Sequence, residues 1–344
     1  MKIPHEKLKQ LTASIFAAAG CDEAEAARIG HYLTEANLVG HDSHGVIRIP
    51  YYIEWLRAGK VLANQQIKID FENDAIAVVD GQYGFGQSVG EQATKLGIDK
   101  CQKQGVAVVA LRDAGHLGRI GDWPLLAARA GLVSLHFVNT SGAGILVAPF
   151  GGIQRRLSAN PIAAGVPVEG QEPILVDMSC CTIAEGKLKV ALNKGVQVPE
   201  NCIIDSKGQP STDPGVFYGE PGAILSIAGH KGYALGVLTE VLAGSLTGGG
   251  SSHPDKASRL GNGMLSIYFD PKAFQQDSAF AADVKRFIDW VKSSQPTQPG
   301  GEILMPGEIE QRTRAQRLRD GIDLDDNTWG SITDVAASLG VAVA

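Results

Sequence analysis

The chain is organised around the stretch His41-Asp42-Ser43-His44-Gly45-Val46-Ile47-Arg48-Ile49-Pro50-Tyr51-Tyr52. Because Pro50 cannot lie deep inside an unkinked helix, the pattern predicts a helix that begins near residues 46–49, with His44 on the preceding turn. Arg48 and Tyr52 then share a helical face. A proton donor beside a cation and a phenol suits a small 2-oxo acid, whose carbonyl oxygen must be protonated and whose carboxylate must be held. The alternative from these residues alone is a polar helix start, with Ser43 as the cap, His44 exposed and Arg48 in solvent.

The composition is that of an ordinary globular protein of 344 residues, with 44% hydrophobic and 20% charged residues. The net charge of −6, without a basic tract, argues against nucleic acid as a partner. No apolar run approaches the roughly 20 residues of a membrane span, and the amino terminus lacks the apolar segment of a secretory signal. Five scattered cysteines without a CxxC pair fit a reducing compartment, so we expect a cytoplasmic protein.

Hydrophobic periodicity predicts helices at both ends of the chain and strands in the middle. At the amino-terminal end the predicted helices span residues 5–20, 22–39 and 46–59, and Asp22 with Glu25 forms a capping box for the second. The predicted strands span residues 75–80, 106–111, 132–138, 173–178, 224–227 and 264–269, with helices at 89–104, 121–130 and 232–246 between them.

After residue 271 the chain is predicted to be helical again. Phe287 and Trp290 mark one amphipathic helix, residues 308–319 form a charged helix, and Trp329 begins the apolar stripe of the last one. Strands mixed with helices and long loops indicate an α/β or α+β fold. We expect residues 1–70 and 271–344 to pack as one discontinuous helical domain around a strand-rich domain of residues 71–270.

Three strand ends carry residues suited to a ligand site. Gly115-His116-Leu117-Gly118-Arg119-Ile120-Gly121 follows a strand, but its GxxGxxG spacing differs from the GxGxxG of an ordinary Rossmann fold, and the next strand does not end in an acidic residue. Asp177 ends an apolar strand, where a carboxylate is either functional or a helix cap. Gly229-His230-Lys231-Gly232 joins a strand to a helix start, which is a potential anion site or simply a surface lysine.

Five separated motifs, in order, resemble the type 2 malate/L-lactate dehydrogenase family. They are His-Asp-Ser-His-Gly-Val-x-Arg at residues 41–48, the His-Leu-Gly turn at 116–118, Asn160-Pro161, Gly229-His230-Lys231-Gly232 and Met305-Pro306-Gly307-Glu308. The resemblance implies a non-Rossmann cofactor domain with a mixed sheet, a helical domain built from both termini, and a homodimer. It also implies hydride transfer between a nicotinamide cofactor and C2 of a small 2-hydroxy or 2-oxo acid.

The resemblance assigns roles to individual residues. His44 is the expected general acid/base, oriented by Ser43 and Asp177, and Asp177 would favour the protonated imidazole. Arg48 would pair with the substrate carboxylate, while Tyr52 and His116 would shape the substrate pocket. The expected cofactor contacts are His116, Gly118, Ser158, Asn160, Met178, Ser179, Cys180, His230, Lys231, Pro306, Gly307 and Glu308. No metal ligand is assigned.

The sequence leaves several alternatives open. Reduction of a cyclic 2-imino acid, such as pyrroline- or piperideine-2-carboxylate, would use the same carboxylate clamp. A metal-dependent hydrolase or lyase would use His41 and His44 as ligands with Asp42 or Asp177, and a non-catalytic binding protein is the third class. NAD is the expected cofactor and NADP is possible, because Glu185 would repel a 2′-phosphate whereas Lys187 or Lys189 would attract one.

Overall fold

The fold is α/β, with a mixed sheet flanked by helices, as the sequence predicted. The computed structural model describes residues 1–142, 144–219, 221–256, 259–275 and 279–343. In chain order, the strands are β1 (Lys2–Ile3), β2 (Lys68–Glu72), β3 (Ile76–Asp80), β4 (Val106–Ala114), β5 (Val133–Ser141), β6 (Ile162–Val166), β7 (Ile174–Met178), β8 (Ile203–Ile204), β9 (Pro210–Ser211), β10 (Ala223–Ile224), β11 (Gly261–Phe269) and β12 (Ile322–Asp323). The α-helices are α1 (His5–Ala18), α2 (Glu23–Leu38), α3 (Ile49–Arg57), α4 (Gly86–Gln104), α5 (Asp122–Arg129), α6 (Glu185–Lys194), α7 (Gly215–Tyr218), α8 (His230–Thr239), α9 (Pro271–Phe274), α10 (Ala279–Lys292), α11 (Glu308–Asp320) and α12 (Asp326–Ser338).

The central sheet has seven strands in the order β2-β3-β4-β11-β5-β6-β7. β3 pairs with β4 in parallel, whereas the other neighbouring pairs are antiparallel. A Rossmann fold has a mostly parallel sheet, so this topology excludes an ordinary Rossmann fold. Helices α4 and α5 pack on the sheet around Trp123, Tyr268 and Leu111, which are fully buried. Leu111 contributes about 1.5–3 kcal/mol by leaving water.

The two ends of the chain share one hydrophobic core. β1 pairs with β12, with Ile3 opposite Ile322, and Leu8, Ile29 and Ile332 lie in the same buried cluster. Asp22 caps α2 by accepting the Glu25 amide at 2.7 Å, which confirms the predicted helix start. The division into domains at residues 71 and 270 stays a prediction.

The structure differs from the predicted elements in several places. β2 and β6 were not predicted, and the predicted strand at 224–227 is reduced to the two residues of β10. The predicted helix at 232–246 begins at His230 and changes to a π-helix over Glu240–Ser245. The α10 helix is amphipathic as predicted, but Phe287 and Trp290 are 58% and 76% exposed.

Candidate active site

The His41–Tyr52 stretch forms two short 3-10 turns, Asp42–His44 and Val46–Arg48, followed by α3. Pro50 stands in the first turn of α3, so the predicted helix start is confirmed. Asn37 anchors the stretch, because its side-chain oxygen accepts the Val46 amide at 2.8 Å and its nitrogen donates to Asp42. A Cβ on Gly45 would lie 2.1 Å from the Asn37 amide, so only glycine allows this close approach.

His44 lies on the first turn, with part of its surface still accessible. Its Nδ1 is 3.0 Å from the Ser43 hydroxyl. Burial, together with electrostatic repulsion from Arg48, His41 and Arg119, lowers the pKa of His44 to about 3. The imidazole is therefore neutral at physiological pH, which corrects the prediction that its environment favours the protonated form.

His116 stacks on His44, with ring centroids 5.6 Å apart and an angle of 11° between the planes. The Tyr52 hydroxyl lies 2.7 Å from His116 Nδ1, and Gln87 donates its Nε2 proton to that hydroxyl at 3.1 Å. Burial lowers the pKa of His116 well below its usual value, with Arg48 and His44 adding to the effect. Burial raises the pKa of Tyr52 to about 12, so the phenol keeps its proton. The structure thus brings together His44, Tyr52 and His116, three of the predicted site residues.

Arg48 lies beside the two imidazoles, since its charge lowers the pKa of both. Its Nε donates to the Ser43 carbonyl at 2.6 Å, and its guanidinium lies 6.0 Å from the centre of the Tyr51 ring. Among the described residues, Arg48 forms no ion pair. The terminal nitrogens of a guanidinium fixed through Nε are suited to bidentate binding of a carboxylate.

Among the described residues Asp177 makes no hydrogen bond or ion pair with His44, and its predicted orienting role stays a prediction. Its Oδ2 accepts the Gly121 amide at 2.9 Å, lies 3.8 Å from Arg119 Nε and is 4.0 Å from Nδ1 of His41. Arg119 is a buried cation that attracts the Asp177 carboxylate toward the Gly118–Gly121 turn. In the part of the chain that the structure describes, Ser43 is the hydrogen-bond partner of the His44 ring.

Arg119, Asp122 and Gln87 belong to the site but were not assigned from the sequence. Arg119 Nη1 donates to Asp122 at 2.7 Å, and both side chains are buried. Burial raises the pKa of Asp122 to about 7, although the Arg119 charge opposes this. The i, i+3 spacing of Arg119 and Asp122 was a usable local signal, whereas the contact of Gln87 with Tyr52 spans 35 positions in the chain.

Ser158 and Asn160 lie in a buried polar network. The Ser158 hydroxyl donates to Asn160 Oδ1, and Asn160 Nδ2 donates to the Gly236 carbonyl at 2.9 Å and to Glu240 at 2.7 Å. Asn139 also donates to Glu240, at 3.0 Å. The side chains of Ser158 and Asn160 thus connect the sheet to α8 and the following π-helix.

The residues after Asp177 turn away from the sheet. Met178 is 36% exposed, whereas Cys180 is buried. The Ser179 hydroxyl donates to the Ala159 carbonyl at 3.0 Å and accepts the Cys181 amide at 3.0 Å. This turn is therefore held against the Ser158–Asn160 segment.

Gly229, His230 and Lys231 form the amino-terminal end of α8. Gly229 has φ +62°, a backbone conformation that favours glycine, and the side chains of His230 and Lys231 are exposed. The His230 ring contacts Phe150 edge to face, at 5.8 Å between centroids. In the described part of the chain Lys231 forms no ion pair, so its charge adds to the positive end of the α8 dipole.

The Met305–Glu308 turn packs on the edge of β7. The Pro306 carbonyl accepts the Leu175 amide at 3.1 Å, and Gly307 has φ +98°. Glu308 accepts the Met305 amide at 2.9 Å and pairs with Lys292. A cavity of about 130 Å³ lies under this turn, which is too small to enclose a dinucleotide.

The described residues contain no group of three or more His, Cys, Asp or Glu side chains placed to hold a metal ion. His41, a ligand in the metal-dependent alternative, lies instead between two carboxylates, 4.0 Å from Asp177 and 3.5 Å from Glu310. Among the helices of the described chain, none is both long and apolar enough to cross a bilayer.

The geometry places two neutral imidazoles beside the Arg48 guanidinium, which forms no ion pair within the described residues, an arrangement suited to a small anion. The family model described as malate/L-lactate dehydrogenase matches residues 3–333, and the chain belongs to this family. It is 39% identical to hydroxycarboxylate dehydrogenase B of Escherichia coli over 341 residues, covering 98% of this chain and 94% of the relative. It is 36% identical over 352 residues to L-sulfolactate dehydrogenase of Methanocaldococcus jannaschii, covering 100% and 98%.

Solved structures give the same result. The fold matches that of an E. coli protein described as a malate/lactate dehydrogenase, with a TM-score of 0.94, 38% identity and coverage of 99% and 96% of the two chains. It matches sulfolactate dehydrogenase of M. jannaschii with a TM-score of 0.89, 34% identity and coverage of 100% and 98%.

Proposed function

We propose that the protein is an oxidoreductase that transfers a hydride between a nicotinamide cofactor and C2 of a small 2-hydroxy or 2-oxo acid. The observation that carries this proposal is the Arg48 guanidinium, without an ion pair to any described residue, beside the stacked, neutral rings of His44 and His116. Relatives named hydroxycarboxylate, L-lactate and L-sulfolactate dehydrogenase, all at 35% identity or more, support the substrate class.

Arg48 holds the substrate carboxylate and His44 moves the proton. A neutral imidazole can accept the proton of the 2-hydroxyl group during oxidation. The bound carboxylate offsets the charge of Arg48, which is one of the causes of the low pKa of His44. Substrate binding therefore raises the pKa of His44 and makes its imidazole a better base for oxidation. In the reverse direction the same effect stabilises the imidazolium that returns the proton.

A nicotinamide cofactor supplies the hydride acceptor or donor when it is bound. The exposed Lys231 at the start of α8 fits a phosphate, and the accessible edge of His116 and the Cβ-free Gly118 fit a planar ring. Met178, Ser179, Cys180, His230 and the Pro306–Gly307 turn complete the proposed contacts. Ser158, Asn160 and Glu308 contribute by holding α8 and the turn, because their side chains are already bonded within the protein.

NAD is the proposed cofactor, with NADP as the alternative. Glu185, at the first turn of α6, accepts a hydrogen bond from Tyr218 at 2.6 Å and remains available to repel a 2′-phosphate. Lys189 lies 5.1 Å from the centre of the Tyr218 ring, and Lys187 is exposed. The net charge of −6 provides no general attraction for an extra phosphate.

The proposed assembly is a cytoplasmic homodimer. The α8 helix and the π-helix after it expose Leu235, Leu238, Val241 and Leu246 at 39–62% of their surface. A helix that is apolar on all sides is usually covered on all sides, which favours a second copy of the chain as the cover. The five cysteines are free, as expected in a reducing compartment.

A substrate panel tests this function. Purified protein would be mixed with NADH or NADPH and a series of 2-oxo acids and cyclic 2-imino acids, and the nicotinamide absorbance would be followed. We expect turnover of 2-oxo acids with NADH favoured over NADPH in kcat/KM. Turnover of the 2-imino acids alone would establish the imino acid alternative instead, and a tenfold preference for NADPH, about 1.4 kcal/mol, would assign Lys187 or Lys189 to the 2′-phosphate.

A further inference from the structure

Gln87 is a buried amide that the packing alone does not require. It is 1% exposed, stands in the first turn of α4, and donates through Nε2 to the Tyr52 hydroxyl at 3.1 Å. Its Oε1 is also buried and has no hydrogen-bond partner among the described residues. Half-satisfied buried amides are unfavourable, and an apolar side chain of similar volume would avoid this cost. The hydrogen bond from Nε2 to Tyr52 offsets only part of the cost of burying this amide.

The first turn of α4 is packed directly against the His116 turn. A Cβ on Gly86 would lie 2.2 Å from the His116 carbonyl oxygen, and a Cβ on Gly118 would lie 2.9 Å from Gln87 Nε2. Glycine at both positions lets the two segments approach this closely. The amide of Gln87 is consequently held in one place relative to the His116 ring.

The three side chains form a hydrogen-bond chain with a fixed direction. Gln87 Nε2 can only donate, so it occupies a lone pair of the Tyr52 oxygen. Tyr52 keeps its own proton, and the acceptor within reach is His116 Nδ1 at 2.7 Å. If Nδ1 were protonated instead, the hydroxyl proton of Tyr52 would be buried without an acceptor. With the Gln87 amide in this orientation, His116 carries its single proton on Nε2.

We propose that Gln87 is a positioning residue that sets, through Tyr52, the Nε2–H tautomer of His116. In this tautomer the neutral His116 ring presents one N–H donor next to His44, where it hydrogen-bonds to the C2 oxygen of the substrate and polarises the carbonyl group. The use of that donor rests on the proposed function, whereas the tautomer itself does not.

The test reads the tautomer directly, in ligand-free full-length protein labelled with 15N-histidine. Two-bond 1H–15N correlation spectra should show His116 as the Nε2–H form in the wild type. Gln87→Met removes the donor at nearly constant volume and should produce a mixture of the two tautomers. Gln92→Met is the matched control, because Gln92 lies on the same helix but bonds to Ile67, and its His116 spectrum should match that of the wild type.

A wild-type spectrum of the Nδ1–H form, or an unchanged Nε2–H form in folded Gln87→Met, would overturn the proposal. If Gln87→Met does not fold, Tyr52→Phe is the second variant, because it keeps Gln87 and removes the donor to His116 Nδ1. It should also produce a mixture of the two His116 tautomers. With the best 2-oxo acid, kcat of Gln87→Met should fall about tenfold, as for partial loss of one donor to a carbonyl oxygen, with little change in KM. A tautomer change in a protein that turns over no 2-oxo acid would support the positioning role and contradict only the proposed function.

Discussion

His136 and His44 are two desolvated histidines with the same pKa and different surroundings. His136 is fully buried in the sheet, and both ring nitrogens are bonded, to Ser134 at 3.0 Å and to Ser266 at 2.9 Å. Burial alone lowers its pKa to about 3. His44 reaches the same value with three cations among the causes, keeps accessible surface, and in the described part of the chain is hydrogen-bonded through Nδ1 only. A lowered pKa therefore does not distinguish the two histidines, whereas the second ring nitrogen of His44 and the nearby Arg48, which forms no ion pair among the described residues, do.

The largest expected effect is the loss of His44. His44→Ala should lower kcat by about 10²-fold or more while cofactor binding persists, because the general acid/base is removed. The comparison variant is His136→Gln, which keeps hydrogen-bonding groups in the sheet and should leave kcat within about twofold of the wild type, since neither nitrogen of His136 is free for chemistry. Steady-state kinetics on the folded variants checks both, and near-normal turnover by His44→Ala would exclude the assigned role.

Arg48 is the cation that distinguishes the His44 region from the His136 region. Arg48→Lys should raise KM for the acid substrate by about 10- to 100-fold, because lysine lacks the planar bidentate donor pair. Arg57→Lys, on the exposed part of α3, is the matched control and should leave KM unchanged. Equal KM values for Arg48→Lys and the wild type would show that the carboxylate binds elsewhere.

The pH dependence of stability should reflect the buried His136. Between pH 6.5 and about 3 the unfolded chain binds a proton at His136 that the folded chain does not, so stability falls as pH decreases. The contribution is about 1.4 kcal/mol per pH unit. Urea unfolding at pH 6 and pH 5 should therefore show a smaller loss of stability for His136→Gln than for the wild type. Equal losses would mean that His136 is protonated in the folded state.

The smallest expected effect concerns Lys231, which is remote from both histidines in the chain. Lys231→Ala should weaken NADH binding by about fivefold, the scale of one exposed charge at a helix start, and change kcat little at saturating cofactor. Calorimetric titration checks this, with Lys207→Ala as a control in the exposed turn between β8 and β9. Unaltered NADH affinity of Lys231→Ala would place the phosphates away from α8.

Local sequence signals predicted most of the fold. The Asp22 cap, the helical stripes at both ends and the strands β3, β4, β5, β7 and β11 followed from periodicity. β6 was missed because Ile162-Ala163-Ala164-Gly165-Val166 has little alternation. Its residues are small because α5 crosses it, and a Cβ on Gly165 would lie 2.5 Å from the Pro124 carbonyl oxygen. β2 was missed because all five of its residues are exposed, so no face carries an apolar pattern.

The sequence predicted the site residues that are close together in the chain. It did not predict the charge interactions of the site. His44, Arg48 and Tyr52 lie together as expected, and the family motifs added His116. The predicted contact between Asp177 and His44 is absent among the described residues, where the Asp177 carboxylate lies 3.8 Å from Nε of Arg119, 58 positions earlier in the chain. The strength of such a charge interaction depends on burial, and no local sequence pattern shows how deeply an arginine will be buried.

The central claim is that C2 of the acid exchanges a hydride with the nicotinamide. The direct measurement uses a 2-oxo acid from the substrate panel, NADH with deuterium at both C4 positions, and ordinary water, with the product analysed by mass spectrometry. We predict a 2-hydroxy acid with one deuterium at C2. A product without deuterium, or deuterium retained entirely on the nicotinamide, would contradict hydride transfer to C2.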